Sequence, residues 1–471
     1  MITDLNDRFS QLDPAYVQNV IVPHLRVRIY QGERLALPLI DPSFSKQNAM
    51  PDGLWGLMSE TWKPRAEDGV VLFLQGLEKR GPDNRRKRIY MSAMTPDLYG
   101  PMYADKVTRF FDRLLHGRNA GKPLMRLYLQ GYFELYWDLH LGVCGDAIPA
   151  KVHDFAESLN VVLAYRDPTL RVVYENYMRV HSLLPPVREW IDRCLIDLAN
   201  GKTEHPERTF AYYWLRNGAG GEHFQHEDIV SECVHDFFAF NQFGTTINSV
   251  MRKLSTNLGD SDSKTWFRKT MQSEQTDGGA FTPLARFVME LLRTITPNAG
   301  SLSRVEEVGT PHHDSQVFVL IPHAATSFDP LHWKKPDEFD PDRYKAIQTS
   351  DQIDEAKCGQ IGFARCPFDQ ATFEVKDGRN VGLANSGFGT VYPVVDGKPL
   401  PVCEQAGFAP FGFGYRRCPG EQFTIKVFED FLRKVWADKI AFEKLDIPDP
   451  DQVPIGPGHV TADDIGFSHA T

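Results

Sequence analysis

The sequence has no Cys-x-x-Cys pair, and its seven cysteines (Cys144, Cys194, Cys233, Cys358, Cys366, Cys403 and Cys418) are scattered over 471 residues. An odd, dispersed set excludes a disulfide framework and a thiol-based zinc ribbon, and it fits a reducing, cytosolic setting. No uncharged apolar run approaches the ~20 residues needed to span a bilayer. Acids stand within the first ten residues with no apolar core behind them, which excludes an ordinary signal peptide or N-terminal anchor. The expectation is a soluble, cytoplasmic protein without a transmembrane anchor. Positive charge is not in excess: Lys+Arg is 52 against Asp+Glu 62, a net charge of −10, which argues against a dedicated nucleic-acid binder. Repeats and low-complexity segments are absent too. Apolar residues are plentiful, at 42% hydrophobic and 12% aromatic, enough to bury a large core.

Residues 1–75 mix short apolar alternations (26–30 and 70–73) with Pro and Gly, the pattern of strands and loops. From about Asp105 to Asp260 long amphipathic stretches predict helices, broken at Pro123, Pro149, Pro185-Pro186 and the glycines from Gly218 to Gly221. Between Ser231 and Leu254 the apolar residues (Phe237, Phe238, Phe240, Phe243, Ile247, Val250 and Met251 among them) point in every direction and predict one helix buried on most sides, about 36 Å long at 1.5 Å per residue. Leu284 to Thr296 predicts another helix, closed by Pro297. Residues 316–321 read as a strand, and residues 345–405 as a Gly-rich irregular stretch with a hairpin turn at Asp396-Gly397. A last amphipathic helix starts near Cys418. No linker divides the chain, so one large α-rich domain with a small β part is expected.

The residues that carry chemistry cluster near that last helix. In Phe411-Gly412-Phe413-Gly414-Tyr415-Arg416-Arg417-Cys418-Pro419-Gly420, Gly414 permits a tight turn close to a flat group, and Arg416 offers a charge to a carboxylate. Cys418 stands where a helix begins, and the helix dipole there favours a thiolate. This element resembles the haem-binding loop of the cytochrome P450 family, Phe-x-x-Gly-x-Arg-x-Cys-x-Gly, at every fixed position. Glu290 and Arg293, spaced i,i+3 and so able to pair on one helix face, are similar to the family's Glu-x-x-Arg. Residues 339–344 are similar to the segment that adds a second arginine, here Arg343. Arg304 stands where the family places a propionate-binding arginine. Upstream, Arg88 falls at a propionate-binding position, and Asn84 replaces the usual His or Trp.

The resemblance implies the P450 fold, mainly α with a small β region, and a haem b whose iron is held by Cys418. Phe411, Gly414, Arg416 and Gly420 would shape the cofactor loop. Substrate would lie above the haem beside the long buried helix, with Phe237, Phe240 and Phe243 lining an apolar pocket. In that helix the family carries an acid followed by Thr; here the acid position is Gly244, and Thr245 is retained. Asn241 and Thr245 are i,i+4 and share a face, expected to be the haem face. Residues 240–244 are similar to the Asn-x-Phe-Gly of the allene oxide synthase and hydroperoxide lyase branch, although this cysteine loop lacks the insertion of the plant enzymes.

Three functions stay open on this basis. One is a monooxygenase using O₂ and electrons from a ferredoxin- or flavodoxin-type donor. The second is a reductase-independent enzyme of fatty-acid hydroperoxides, an isomerase, lyase or peroxygenase. The third is a non-catalytic haem sensor. Arg85, Arg86, Lys87, Lys426, Arg433 and Lys434 could form a basic docking patch for an acidic electron donor. Against that, residues 345–405 exceed the family's usual length before the cysteine loop and would hinder docking if folded over the thiolate side.

Overall fold

Apolar residues at i, i+3, i+4 and i+7 (Val107, Phe110, Phe111, Leu114) turn one face of α1 (Ala104–Leu114) into the core. The computed structural model describes residues 27–29, 45–48, 89–165, 170–218, 226–273, 277–297, 301–307, 317–321, 323–330, 332–347, 349, 373–374, 380–385, 391–396, 398–405, 407–412 and 417–469. After α1 come α2 (Met125–Leu141), α3 (Ala150–Tyr165), α4 (Arg171–Ala199) and α5 (Phe210–Gly218). The start of α2 is capped from far away: Asp463 accepts the Met125 and Arg126 N–H groups at 2.8 and 3.2 Å. Its end is closed by Gly142, left-handed at φ 72°, whose N–H reaches the Asp138 carbonyl.

One predicted break is absent. α4 runs straight through Pro185 and Pro186. The carbonyls that those prolines leave without helical partners belong to His181 and Ser182, which are exposed and can bond water. Burial of Val180, Leu184, Val187, Ile191 and Leu195 along the opposite side holds the helix together.

The long buried helix is two helices, α6 (His226–Phe240) and α7 (Gln242–Leu254), meeting at Asn241. The Gly244 N–H bonds to the Asn241 carbonyl, an i+3 turn in place of the usual i+4. α8 (Ser261–Gln272) is capped by Asp260, and α9 (Pro283–Ile295) by Thr282 with Pro283 at its first position. The last helix, α10 (Glu421–Ala437), follows Cys418 as expected.

A four-stranded sheet has the order β1 (Val27–Ile29), β4 (Val317–Ile321), β3 (Ser301–Glu307), β2 (Ser45–Asn48), with only the β1–β4 pair parallel. The predicted strand at 70–73 lies outside the described residues. Within 345–405 the described residues form a second antiparallel sheet: β5 (Phe373–Glu374), β6 (Asn380–Asn385), β7 (Val391–Val395) and β8 (Lys398–Pro399). Most of the described residues of that stretch therefore lie in strands rather than irregular chain, and Asp396, at φ 48°, makes the predicted turn. β9 (Ile440–Lys444) pairs with β12 (Ile465–His469), and β10 (Gln452–Gly456) with β11 (His459–Ala462).

The core joins α1, α2, α7 and α10 through aromatic rings. Phe111 meets Phe431 at 5.0 Å between centroids, Phe110 meets Tyr128 at 5.7 Å, and Phe243 stacks on Phe428 at 5.9 Å. The architecture is mostly helical with small sheets, as the sequence predicts.

Candidate functional site

Cys418 lies just ahead of the first turn of α10, its N–H bonded to the Phe411 carbonyl at 2.8 Å and its own carbonyl accepting from the Glu421 N–H at 3.4 Å. The turn before it passes through Gly412 at φ 73°. The thiol is exposed, although the surrounding chain is not. Met94, buried, stands beside it: a Cβ on Gly420 would be 3.8 Å from the Cys418 Sγ and 3.9 Å from the Met94 Sδ. Cys194, Cys233 and Cys403 behave differently. Burial pushes the Cys194 thiol up to about 11 and drives the other two well above the ordinary range, so none of the three favours a thiolate. An open thiol at a helix start is the donor that a haem iron of the implied type requires, and on this count the residues fit the cofactor.

Other expected cofactor contacts are placed only in part. Phe411 is half-buried against Phe408, and Gly420 is the N-cap of α10. Gly414, Arg416, Arg88 and Asn84 lie outside the described residues, as does the Arg304 side chain; the Arg304 backbone sits in β3 opposite Phe318 and Asn48. The neighbouring Arg417 was not anticipated. It is buried and makes a bidentate pair with Glu421 at 2.5 and 2.8 Å, pinning the cysteine loop to α10. Its i,i+4 spacing to Glu421 was the available signal.

Glu290, Arg293 and Arg343 are brought together as the spacing predicts. Glu290 and Arg293 are both 0% exposed and share two bonds of 2.8 Å. Arg343 Nε donates to Glu290 Oε1 at 3.1 Å, the Asp340 N–H donates to the same oxygen at 2.9 Å, and Tyr344 donates to Oε2 at 3.2 Å. Arg293 also donates to the Ser327 and Pro336 carbonyls. A buried ion pair with its remaining lone pairs and protons satisfied in this way is a structural knot rather than a reactive group.

Asn241 and Thr245 do share one face, and that face looks onto α3 and the β10–β11 hairpin. The Asn241 amide donates to Asn160 Oδ1, and Asn160 donates in turn to the Pro454 carbonyl at 2.6 Å. Asn160 carried no sequence signal, since nothing local links it to a residue 81 positions away. The Asn241 Oδ1 and Thr245 Oγ1 are buried without a hydrogen-bond partner among the described residues. Gly244 also has a steric reason: a Cβ there would collide with the Ile455 backbone carbonyl, so the carboxylate expected at this position has no room. Gly456 is packed the same way, since its Cβ would stand 2.5 Å from Thr245 Oγ1 and 2.9 Å from the Asn241 carbonyl. Gly456→Ala is expected to lose roughly 1–3 kcal/mol through overpacking. Urea unfolding checks this, and an unchanged midpoint would mean the hairpin is not seated on the kink.

The three expected pocket residues separate. Phe240 and Phe243 line a small apolar cavity with Phe423, Val427, Tyr128 and Tyr132, where a water-sized sphere has about 20 Å³ of space. Phe237 instead packs on Phe133 and Tyr136, at 5.4 and 5.2 Å.

α6 also carries buried polar groups that the apolar pattern concealed. Glu232, His235 and Asp236 are each at most 2% exposed. His140 of α2 lies 3.3 Å from Asp236. Burial, helped by the Glu232 charge, raises the Asp236 carboxyl to about 8, while burial lowers the His140 imidazole to about 3. Burial and the Asp236 charge push the Tyr90 hydroxyl well above its ordinary range, and Cys418 lies within electrostatic reach of it. Of the expected basic patch, Arg85 to Lys87 lie outside the described residues. Lys426, Arg433 and Lys434 are paired with Glu429, Asp430, Asp112 and Asp438, which cancels much of their field.

No helix among the described residues is long and apolar enough to cross a membrane. No protein-family model and no curated protein matches the sequence. Solved structures do match. A variant of cytochrome P450SP alpha (CYP152B1) aligns over 93% of this chain and 90% of its own, at 15% identity and a TM-score of 0.58. Cytochrome P450EX alpha (CYP152N1) with myristic acid aligns over 92% and 88%, at 15% identity and 0.57. Retinoic acid bound cyanobacterial CYP120A1 aligns over 93% and 88%, at 14% identity and 0.60. With the cysteine at the start of α10, the glutamate–arginine knot and these alignments together, the chain has the cytochrome P450 fold.

Proposed function

We propose that this chain is a haem-thiolate oxidoreductase that oxidises an apolar, lipid-like molecule, with Cys418 as the axial ligand of a haem b. The observation that carries it is the open Cys418 thiol at the head of a core helix, in a chain of this fold. When bound, haem supplies redox iron, and electron donation from the thiolate favours O–O bond cleavage. Arg304, Arg416 and Arg88 are the residues proposed to hold its propionates, with Asn84 beside them, and Phe411, Gly414 and Gly420 to shape the loop under it. Two of the similar structures hold lipophilic carboxylic acids, myristic and retinoic acid, which supports a lipid-like substrate. Phe240 and Phe243 present the apolar surface such a molecule would meet.

The leading form is a monooxygenase that takes O₂ and electrons from a ferredoxin- or flavodoxin-type donor, with the Thr245 hydroxyl as the group that passes a proton. A second form, turnover of a fatty-acid hydroperoxide without any reductase, is favoured by one specific observation. Gly244 has no room for an acid beside Thr245, while the Asn241 oxygen is a buried acceptor that a hydroperoxide O–H would satisfy.

Haem-loaded protein incubated with a polyunsaturated fatty-acid hydroperoxide, without NAD(P)H or reductase, separates the two. Fast loss of the conjugated-diene absorbance over many equivalents, with an epoxide, ketol, aldehyde or diol by mass, establishes hydroperoxide turnover. In that case Asn241→Ala is expected to lose it while the haem spectrum persists. Slow loss with bleaching of the haem leaves the O₂-dependent form, where Thr245→Ala is expected to uncouple electron consumption from product.

A further inference from the structure

The hydrogen bonds that join α3 to the helix kink can run in only one direction. Asn160, 1% exposed within α3, is held by the β10–β11 hairpin: its Nδ2 donates to the Pro454 carbonyl at 2.6 Å. A carbonyl only accepts, so the amide nitrogen of Asn160 faces Pro454 and its Oδ1 is left for another donor. That oxygen in turn only accepts, and it accepts from the Asn241 Nδ2. The orientation of the Asn241 amide is thereby set by a backbone carbonyl of the hairpin. A second tie keeps that carbonyl in place, since the Gly458 N–H of the hairpin donates to the Leu163 carbonyl of α3 at 2.9 Å.

What this leaves at the kink is an acceptor. Asn241 is 0% exposed, and with its nitrogen committed to Asn160 its Oδ1 has no hydrogen-bond partner among the described residues. The Thr245 hydroxyl, one turn on along the same face, is in the same condition. Its neighbour behaves differently: the Thr246 hydroxyl donates to the carbonyl four residues back, that of Gln242, at 2.9 Å. Four residues before Thr245 stands the Asn241 carbonyl, which the kink engages with the Gly244 N–H at 3.1 Å. A buried amide oxygen without a partner is costly, and it favours a ligand group that donates a hydrogen bond. Turned the other way, the same amide would present its NH₂ and favour an acceptor.

We propose that Asn160 is a positioning residue that sets specificity through Asn241. By fixing the amide, it makes the kink select ligands with a hydroxyl or hydroperoxyl hydrogen over those with only ether oxygens. The proposal rests on the reading in which Asn241 meets the reacting molecule, and it names what gives that meeting its polarity. Lipid hydroperoxides and lipid alcohols share the O–H that the Asn241 oxygen would accept; a dialkyl peroxide or an ether lacks it. The Thr245 hydroxyl, able both to donate and to accept, would serve the lone pair of the same ligand oxygen. Asn160 acts only through Asn241.

Calorimetric titration of the haem-loaded full chain with 1-decanol and with its methyl ether tests it. Wild type is expected to bind the alcohol about 10–100-fold more tightly, since the ether leaves a buried acceptor unpaired. Asn160→Leu should bring the two affinities to within about threefold of each other, because the Asn241 amide is then free to turn. Asn160→Asp keeps the shape and an acceptor for Asn241, and should keep the discrimination. In Asn241→Ala the discrimination should already be lost, and adding Asn160→Leu should change it no further, as for a residue that acts through another. Should Asn160→Leu fail to fold, Asn160→Ala takes its place with the same expectation. Undiminished discrimination in a variant whose haem spectrum and far-ultraviolet circular dichroism are intact would overturn the proposal, as would a wild type that binds both ligands alike. Failure of the hydroperoxide reading looks different. Absence of hydroperoxide turnover, with discrimination that still depends on Asn160, removes that reaction and leaves the positioning role. Turnover that needs Asn241 but is indifferent to Asn160 does the reverse.

Discussion

Cys418→Ala is expected to fold normally and to lose the red-shifted Soret band that a thiolate-ligated reduced haem–CO complex gives, with haem occupancy down at least tenfold. The side chain is exposed, so its truncation leaves no core cavity, and the stability of the haem-free chain should stay within about 0.5 kcal/mol of haem-free wild type. The chemistry lost is specific. The thiol sits before the free N–H groups of α10, where partial positive charge favours the thiolate. Cys144, also exposed, lies in a loop ahead of a short 3₁₀ turn and serves as the control: Cys144→Ala should keep the spectrum unchanged. A thiolate spectrum that survives Cys418→Ala would remove the proposed axial ligand, and the haem-thiolate function with it.

Glu290→Gln should cost about 3–5 kcal/mol, the loss typical when one member of a buried ion pair is removed. Whole domains are stable by only about 5–15 kcal/mol, so this single change would threaten folding. Glu290 is fully buried and accepts from Arg293, Arg343, Tyr344 and the Asp340 backbone. Glutamine keeps the shape but removes the charge, and its NH₂ group would face guanidinium donors. Arg293 would be left as a buried cation beside Trp333, whose ring is 5.3 Å from its guanidinium. Lys335–Glu338 provides the contrast, a pair with both side chains more than half exposed. Glu338→Gln should change stability by about 0–1 kcal/mol, because solvent screens such pairs. Urea unfolding of both variants measures the difference. Equal midpoints would show that the Glu290 network does not hold the fold together.

These two predictions draw on parts of the protein that local sequence makes legible. Glu290 and Arg293 pair because they are three residues apart on one helix, and Cys418 precedes a helix because the apolar period begins just after it. Helix ends at Gly142, Thr282 and Asp260 follow from the conformational needs of caps, which a few neighbouring residues decide. The strand at 317–321, the turn at Asp396 and the mostly helical class belong to the same kind of evidence.

What periodicity names is the face of an element that is buried, never the partner it is buried against. So the sequence placed Asn241 and Thr245 on one face, but only the fold set that face against Asn160 and Gly456, residues remote in the chain. It marked the missing acid at Gly244, but the reason, a backbone carbonyl of β10 in the way, belongs to tertiary packing. It predicted a break at Pro185-Pro186, and packing along α4 outweighed the lost hydrogen bonds. By itself, the sequence determined the cysteine that precedes the last helix, the ion-pair core and the helical class, because each depends on residues within a few turns of one another. The helix kink, the separation of Phe237 from Phe240 and Phe243, and the contact of His140 with Asp236 were decided by tertiary structure, because each joins segments that meet only once the core has closed.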